Sequence, residues 1–126
     1  MFTLEIKQFI QAAHRLPKSN DLVTKECSNL HGHSYLVKTE IKTRSNNRSG
    51  MVVDFKGVKN IVNILDHQFV NDIFRKYKFN QPSTAENIAK FLHQQILGTY
   101  DFYGLKVSVC EGYKGEESSN WVHYEG

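Results

Sequence analysis

The sequence predicts an α+β domain in which a four-stranded antiparallel sheet carries two helices on one face. Three observations support this. Two segments near the N-terminus alternate apolar and polar residues, two later segments have helical spacing, and two short alternating segments follow toward the C-terminus. The order strand, strand, helix, helix, strand, strand (ββααββ) suits an antiparallel sheet whose helices all pack on one side.

The first two strands are predicted from period-2 alternation. Apolar residues at positions 2, 4 and 6 begin the first strand, which we expect to continue toward His14 with one irregularity near Ile10. The second strand is predicted from His31 to Lys42. Every second residue of that segment falls on one face: His31, His33, Tyr35, Val37, Thr39 and Ile41.

The two helices are predicted from capping residues and 3.6-residue spacing. Asp54 is the expected N-cap of a helix whose apolar residues are Phe55, Val58, Ile61, Val62 and Leu65. Ser83 and Glu86 fit a capping box at the start of the second helix, and Gly98 is its expected end. The last two strands are predicted around Leu105 to Cys110 and Trp121 to Tyr124.

Length and composition exclude several classes of protein. The chain has 126 residues, about one domain, with 40% hydrophobic and 23% charged residues. A net charge of +3 without a basic run gives no indication of a nucleic-acid partner. Two cysteines are too few for a disulfide scaffold, although one bridge remains open. Neither a signal peptide nor a membrane-spanning segment is expected, so we expect a cytoplasmic protein.

Three histidines form the clearest chemical pattern. In His31-Gly32-His33 the imidazoles lie at i and i+2, so on a strand they project from one face. His14 lies near the end of the preceding strand, which a hairpin would bring alongside. Three imidazoles with an open fourth position are typical of catalytic zinc, although iron or nickel also suits these ligands. The simpler alternative is three unrelated histidines. His93 and His123 have no such neighbours, and we expect them to face solvent.

Four further residues carry side chains suited to acid–base or binding chemistry. Cys27 lies four residues before the His-Gly-His segment and beside basic Lys25, which favours the thiolate; the alternative is a small buried residue. Asp66 adjoins His67, and a carboxylate can fix the tautomer of an imidazole. Glu111 ends an apolar strand, where it either faces solvent or accepts two N–H groups from a guanidine-like ring edge.

These residues occur together in one known enzyme family. The motifs are Ala12-Ala13-His14-Arg15-Leu16, Cys27-Ser28-Asn29-Leu30-His31-Gly32-His33, Val53-Asp54-Phe55, Leu65-Asp66-His67, Thr84-Ala85-Glu86-Asn87 and Glu111. In this order they resemble the 6-pyruvoyltetrahydropterin synthase family, over roughly residues 2 to 124. The Cys-x3-His-Gly-His spacing resembles the bacterial 6-carboxy-5,6,7,8-tetrahydropterin synthase branch of queuosine biosynthesis. Pyruvoyl-forming members have a longer spacing.

The resemblance implies one domain over residues 1–126 with the tunnelling fold, in a homohexamer of two trimers with active sites at subunit interfaces. It assigns three groups of site residues. The zinc ligands are His14, His31 and His33. The catalytic residues are Cys27, Asp66 and His67. The pterin-binding residues are Glu111 and Thr84.

The implied substrate is a pterin triphosphate, 7,8-dihydroneopterin triphosphate, with Zn²⁺ as the cofactor and with no nucleic-acid or membrane partner. The implied products are 6-carboxytetrahydropterin, acetaldehyde and triphosphate. Arg15, Lys18 and Lys25 flank the expected site and are candidates for binding the triphosphate. Two alternatives remain open: an enzyme that forms the pyruvoyl product, and a non-catalytic zinc- or pterin-binding module of the same fold.

Overall fold

A long β-hairpin forms the centre of the fold in the computed structural model, which describes residues 1–17, 29–44 and 50–126. Strand β1 spans Phe2–His14 and pairs antiparallel with β2, His31–Thr43, along its whole length. Because the register is continuous, each residue of β1 that faces inward lies opposite an inward-facing residue of β2. The hairpin therefore provides one continuous inner face for the core.

The irregularity expected near Ile10 is absent from the strand pairing. The apolar pattern changes there because polar Gln8 faces inward, while Phe9 faces outward and is exposed. The Gln8 side-chain amide donates hydrogen bonds to the Lys59 carbonyl and to Oδ1 of Asn63, at 3.2 and 3.0 Å. Gln8 is polar at an inward position because its side chain links the strand to the end of the helix that packs on it.

The sheet has five strands, one more than the sequence predicted, in the order β3-β1-β2-β4-β5. Strand β4 (Gly104–Glu111) pairs antiparallel with β2, and β5 (Trp121–Tyr124) pairs antiparallel with β4. The additional strand β3 contains only Gln68–Phe69 and pairs parallel with β1. Two residues cannot produce a detectable alternation, which is why the sequence pattern missed this strand.

The described ranges contain three helices, where two were predicted. They are α1 (Phe55–Val62), α2 (Val70–Lys76) and α3 (Ala85–Leu97). Helix α1 ends earlier than expected, because Asn63–Leu65 form a 3-10 turn. The short α2 is the addition, and its apolar residues Val70, Ile73 and Phe74 do have helical spacing.

The helices cover the inner face of the sheet, as expected for an α+β fold. Helix α3 packs on β4 and β5, while α1 and α2 pack on β1. The resulting core joins strand residues such as Val37 and Val107 to helix residues such as Val58, Ile88 and Leu92. None of the helices in the described ranges has the length and apolar character needed to cross a membrane.

Helix α3 begins one residue later than predicted. Thr84 is the N-cap, and its hydroxyl accepts a hydrogen bond from the Asn87 amide at 3.2 Å, as the Asp54 carboxylate does from the Lys56 amide for α1. The predicted cap, Ser83, instead donates its hydroxyl to Oδ1 of Asn71 at 2.8 Å. Because the Ser83 hydroxyl is used in this tertiary contact, the next residue, Thr84, caps the helix instead.

Replacing Thr84 by alanine removes the cap acceptor and should lower the free energy of unfolding by about 1 kcal/mol. Thr84→Ser keeps the hydroxyl and is the matched control, expected to change stability by less than about 0.5 kcal/mol. Urea unfolding followed by circular dichroism measures both variants. Equal stability of the two would contradict the assignment of Thr84 as the cap.

Candidate metal centre and active site

The three histidines of the predicted metal site lie together on the inner face, at the end of the β1–β2 hairpin. His14 is directly opposite His31, and His33 is two residues further along β2 on the same face. Glu111, the last residue of β4, joins them. The ligand atoms of these four side chains all lie within 4.8 Å of one another, a spacing that could hold a metal ion.

Backbone carbonyls fix the orientation of two of the imidazoles. Nδ1 of His14 lies 2.6 Å from the Ser83 carbonyl oxygen, and Nδ1 of His31 lies 2.6 Å from that of Asn29. A carbonyl oxygen only accepts, so each Nδ1 carries the proton and each Nε2 presents a lone pair. Metal-binding histidines are commonly oriented in this way, because the ring nitrogen that does not bind the ion donates to a carbonyl or a carboxylate.

Glu111 contributes a carboxylate to the site and contacts two of the three histidines. Its Oε1 lies 2.6 Å from Nε2 of His33 and 3.4 Å from Nε2 of His14. The His14 side chain is buried, and its Nε2 has no hydrogen-bond partner among the described residues. Because an unpaired buried nitrogen is costly, a cation bound at this point would satisfy it. The donor set of three imidazoles and one carboxylate fits zinc or a similar divalent ion.

Burial and the Glu111 charge set the protonation of the cluster. Burial alone lowers the pKa of His14, but the contacts with Glu111 and the Ser83 carbonyl outweigh it and raise that pKa. For His33, burial, together with the charges of His14 and His31, outweighs Glu111 and lowers the pKa. The contact with His14 lowers the pKa of Glu111 despite its burial. The cluster thus favours an ionised carboxylate and a neutral His33, the forms that bind metals.

The cluster lies in a cavity of about 830 Å³, which is large enough for a small organic molecule. The start of α3 forms one wall, with Thr84 and Glu86. Another is formed by Lys114, between β4 and β5, and by Trp121, the first residue of β5. Thr84 therefore lies where the sequence predicted a binding residue, although its hydroxyl also caps α3. Lys114 and Glu86 were missed, because nothing in the pattern of an exposed loop or a helix start marks a residue that lines a cavity.

Asp66 and His67 are not among the residues that line the cavity of the histidine cluster. Oδ2 of Asp66 is 3.0 Å from Nδ1 of His67, as expected for a paired carboxylate and imidazole. The pair lies on a turn fixed to β1, because the Gln11 amide donates to Asp66 at 2.9 Å and the His67 amide donates to the Gln11 carbonyl at 2.6 Å. The His67 side chain is 77% exposed and lines a second, more open depression, to which His33 and Ser34 also belong.

The remaining predicted residues divide into two groups. Cys27, Lys18 and Lys25 lie outside the described residues. Arg15 is exposed and is not among the residues that line the cavity. The prediction that His93 faces solvent was wrong: its side chain is buried, where its ring donates to the Leu105 carbonyl at 3.1 Å and packs against Tyr124. His123 is exposed, as expected.

Comparison with known proteins shows which family the chain resembles. The family described as 6-pyruvoyl tetrahydropterin synthase matches residues 3–126. The 6-carboxy-5,6,7,8-tetrahydropterin synthase of Bacillus subtilis is 26% identical over 98% of this chain and 84% of its own length. A putative enzyme of the same name from Archaeoglobus fulgidus is 35% identical over 72% of each chain. The 6-pyruvoyl tetrahydrobiopterin synthase of Drosophila melanogaster is 33% identical over 71% of this chain and 61% of its own.

The solved structures agree with the sequence comparison. The 6-pyruvoyl tetrahydropterin synthase of Caenorhabditis elegans superposes with a TM-score of 0.70 at 26% identity, over 99% of this chain and 95% of that one. The Plasmodium vivax enzyme, at 19% identity and a TM-score of 0.61, supports the fold alone. These neighbours confirm the α+β tunnelling fold that the resemblance implied. From its sequence match and its fold, the chain belongs to the 6-pyruvoyl tetrahydropterin synthase family.

Proposed function

We propose that this protein is a zinc-dependent 6-carboxy-5,6,7,8-tetrahydropterin synthase, a lyase of queuosine or related deazapurine biosynthesis. It would convert 7,8-dihydroneopterin triphosphate and one water into 6-carboxytetrahydropterin, releasing acetaldehyde and triphosphate. The observation that carries this proposal is the convergence of His14, His31, His33 and Glu111 in one cavity. The carboxy-forming branch is supported by the Cys-x3-His-Gly-His spacing and by the B. subtilis relative, which covers nearly the whole chain.

In this proposal His14, His31 and His33 hold the metal through their Nε2 atoms. The chemistry that zinc supplies at a three-histidine site is Lewis acidity. Hydrogen bonds from His14 and His31 to backbone carbonyls preorganise two of the ligands before any ion binds. The start of α3 and Trp121 line the cavity in which the substrate would bind.

Two acid–base groups would move protons on the substrate. Cys27, four residues before His31 in the sequence, is proposed as the base that removes a proton from carbon. His67, held by Asp66 at 3.0 Å, is proposed to handle the second proton. Because His67 is exposed and does not line the cavity of its own chain, a second copy is proposed to supply it.

Assembly into a homohexamer of two trimers would bring His67 of one subunit to the metal centre of another. The exposure of His67 and the short edge strands support this proposal. Strand β3 pairs with only two residues of β1, so in the described part of the chain most of the outer edge of β1 has no strand neighbour. Such an edge is a ready surface for pairing with another subunit. A cytoplasmic location agrees with the proposed role of the Cys27 thiol.

Substrate recognition is proposed to rest on Glu111 and Thr84 for the pterin ring. A guanidine-like ring edge offers two parallel N–H donors, and a carboxylate accepts both. Arg15, Lys18 and Lys25 remain the proposed contacts for the triphosphate. Lys114, which lines the cavity, is a further cation on the same side as Glu111.

The main alternative is formation of the 6-pyruvoyl product, which the D. melanogaster relative favours. A non-catalytic zinc- or pterin-binding module is the other. Incubation with 7,8-dihydroneopterin triphosphate separates all three. Mass spectrometry of the pterin and an assay for acetaldehyde distinguish the carboxy product from the pyruvoyl product, and absence of any product would indicate the module.

Removal of one imidazole should abolish zinc binding. We expect about one zinc per subunit in the wild type and little in His31→Ala or His33→Ala, because two imidazoles leave the ion poorly held. The control His123→Ala removes an exposed histidine outside the cluster and should keep full zinc. Elemental analysis of the purified proteins gives the ratios. Full zinc content in both cluster variants would place the metal elsewhere.

Cys27→Ala should keep zinc and oligomer size but lose activity by about 10²–10⁴-fold, because a positioned acid–base group contributes on that order. Cys110→Ala removes a buried free thiol outside the cavity and is the matched control. Turnover is measured by acetaldehyde release. If Cys27→Ala retained more than about a tenth of wild-type activity, Cys27 would not be the base; loss of zinc would make it a ligand.

Glu111→Gln should weaken pterin binding strongly, because each charge-assisted hydrogen bond in a buried site contributes about 1.5–3 kcal/mol. Glu86→Gln changes the other carboxylate of the cavity wall and should alter binding by less than threefold, about 0.65 kcal/mol. Calorimetric titration of the zinc-loaded proteins with neopterin gives both dissociation constants. A change of less than about threefold for Glu111→Gln would remove it as the anchor of the pterin ring.

A further inference from the structure

The contact between His33 and Glu111 cannot persist when His33 binds a metal through the same nitrogen. Nε2 of His33 donates to Oε1 of Glu111 at 2.6 Å, and a ring nitrogen that carries a proton has no lone pair for an ion. Binding of a metal by this Nε2 therefore removes the proton and, with it, the hydrogen bond. Glu111, which in the proposed function binds the pterin ring and not the ion, then needs another donor to fix its position.

Tyr35 is the nearest candidate for that donor. It lies directly opposite Glu111 in the pairing of β2 with β4, and residues opposite each other in antiparallel strands have Cβ atoms about 4.5–5.5 Å apart. The Tyr35 side chain is fully buried beneath the cluster, with its ring centroid 6.2 Å from that of His14 and 5.7 Å from that of His33.

The hydroxyl of Tyr35 has no hydrogen-bond partner among the residues that the structure describes. A buried hydroxyl without a partner destabilises the protein, and phenylalanine would fill the same space without that cost. A tyrosine hydroxyl is a hydrogen-bond donor at neutral pH, since its ordinary pKa is about 10. The residue paired with Glu111 across the sheet thus carries an unpaired donor, and Glu111 loses its contact with His33 when the metal binds.

We propose that Tyr35 is a positioning residue for Glu111: once His33 binds the metal, the Tyr35 hydroxyl donates to the Glu111 carboxylate and holds it toward the ligand. This inference rests on the proposed role of Glu111 as the anchor of the pterin ring. One carboxylate oxygen then accepts from Tyr35, and the other oxygen remains for the ring N–H groups. Without the metal, Glu111 remains hydrogen-bonded to His33. Binding of the metal and binding of the pterin are therefore coupled.

Thr39 provides a matched control within the same strand. It lies on the same face of β2, is buried, and its hydroxyl also has no partner within the described residues. Thr39 is opposite Val107 rather than Glu111, and it does not line the cavity. Thr39→Val and Tyr35→Phe therefore each remove one unpaired buried hydroxyl, but only the second removes a donor beside Glu111.

The experiment compares zinc content, thermal midpoint and neopterin affinity of the zinc-loaded variants. We expect both Tyr35→Phe and Thr39→Val to keep full zinc and, before zinc is added, at least the wild-type thermal midpoint, because in that form each removed hydroxyl is unpaired in the part of the chain that the structure describes. Tyr35→Phe should bind neopterin about tenfold more weakly, because a hydrogen bond to a charged group is lost. Thr39→Val should bind like the wild type. In a Glu111→Gln background, Tyr35→Phe should change neopterin affinity by less than about twofold, since its partner is gone.

Three results would overturn the inference. If Tyr35→Phe binds neopterin within about twofold of the wild type while Glu111→Gln binds far more weakly, the anchor stands and Tyr35 does not position it. If Tyr35→Phe weakens binding equally in the wild-type and Glu111→Gln backgrounds, or lowers zinc content, its role is structural. If Glu111→Gln itself has no effect, the anchor and its positioning by Tyr35 both fail.

Discussion

The continuous register of the β1–β2 hairpin is the constraint on which the site depends. Thirteen residues of each strand pair without a bulge, and the pairing ends with His14 opposite His31. A shift of β2 by one residue against β1 would turn His31 and His33 away from the core face and away from His14. Apolar residues on the same face of β2, such as Val37 and Ile41, resist that shift because it would expose them. Core packing and metal-ligand geometry therefore enforce the same register.

Much of the fold and of the metal site could be predicted from local sequence patterns. The alternation in β2 placed His31, His33 and Tyr35 on one face, and Asp54 correctly marked the start of α1. The two-residue strand β3 was missed because pairing of so short a segment depends on the position of β1, which no local period encodes. The cap of α3 was displaced by one residue for a similar reason: the Ser83 hydroxyl is taken by Asn71 from another element.

The active-site prediction illustrates the same division between local and tertiary information. His-Gly-His and His14 could be joined through hairpin geometry, so the convergence of the three histidines was predictable. The contact of Glu111 with His33 was not, because it depends on the register between β2 and β4. Asp66 and His67 were recognisable as a pair, and neither lines the cavity of the histidine cluster. Their proposed use at a metal centre would require a second copy of the chain, which no local sequence pattern encodes.

The hydrogen bond between His14 and the Ser83 carbonyl joins segments 69 residues apart. An ion held by His14 would therefore fasten the end of β1 to the residue that precedes α3, and binding to the folded chain alone adds to its stability. Chelation would act as a destabiliser as well as an inhibitor, because local opening near the start of α3 exposes backbone to proteases. In a metal-starved cell, the quantity of this protein would then fall along with its turnover, and its abundance would report on metal supply.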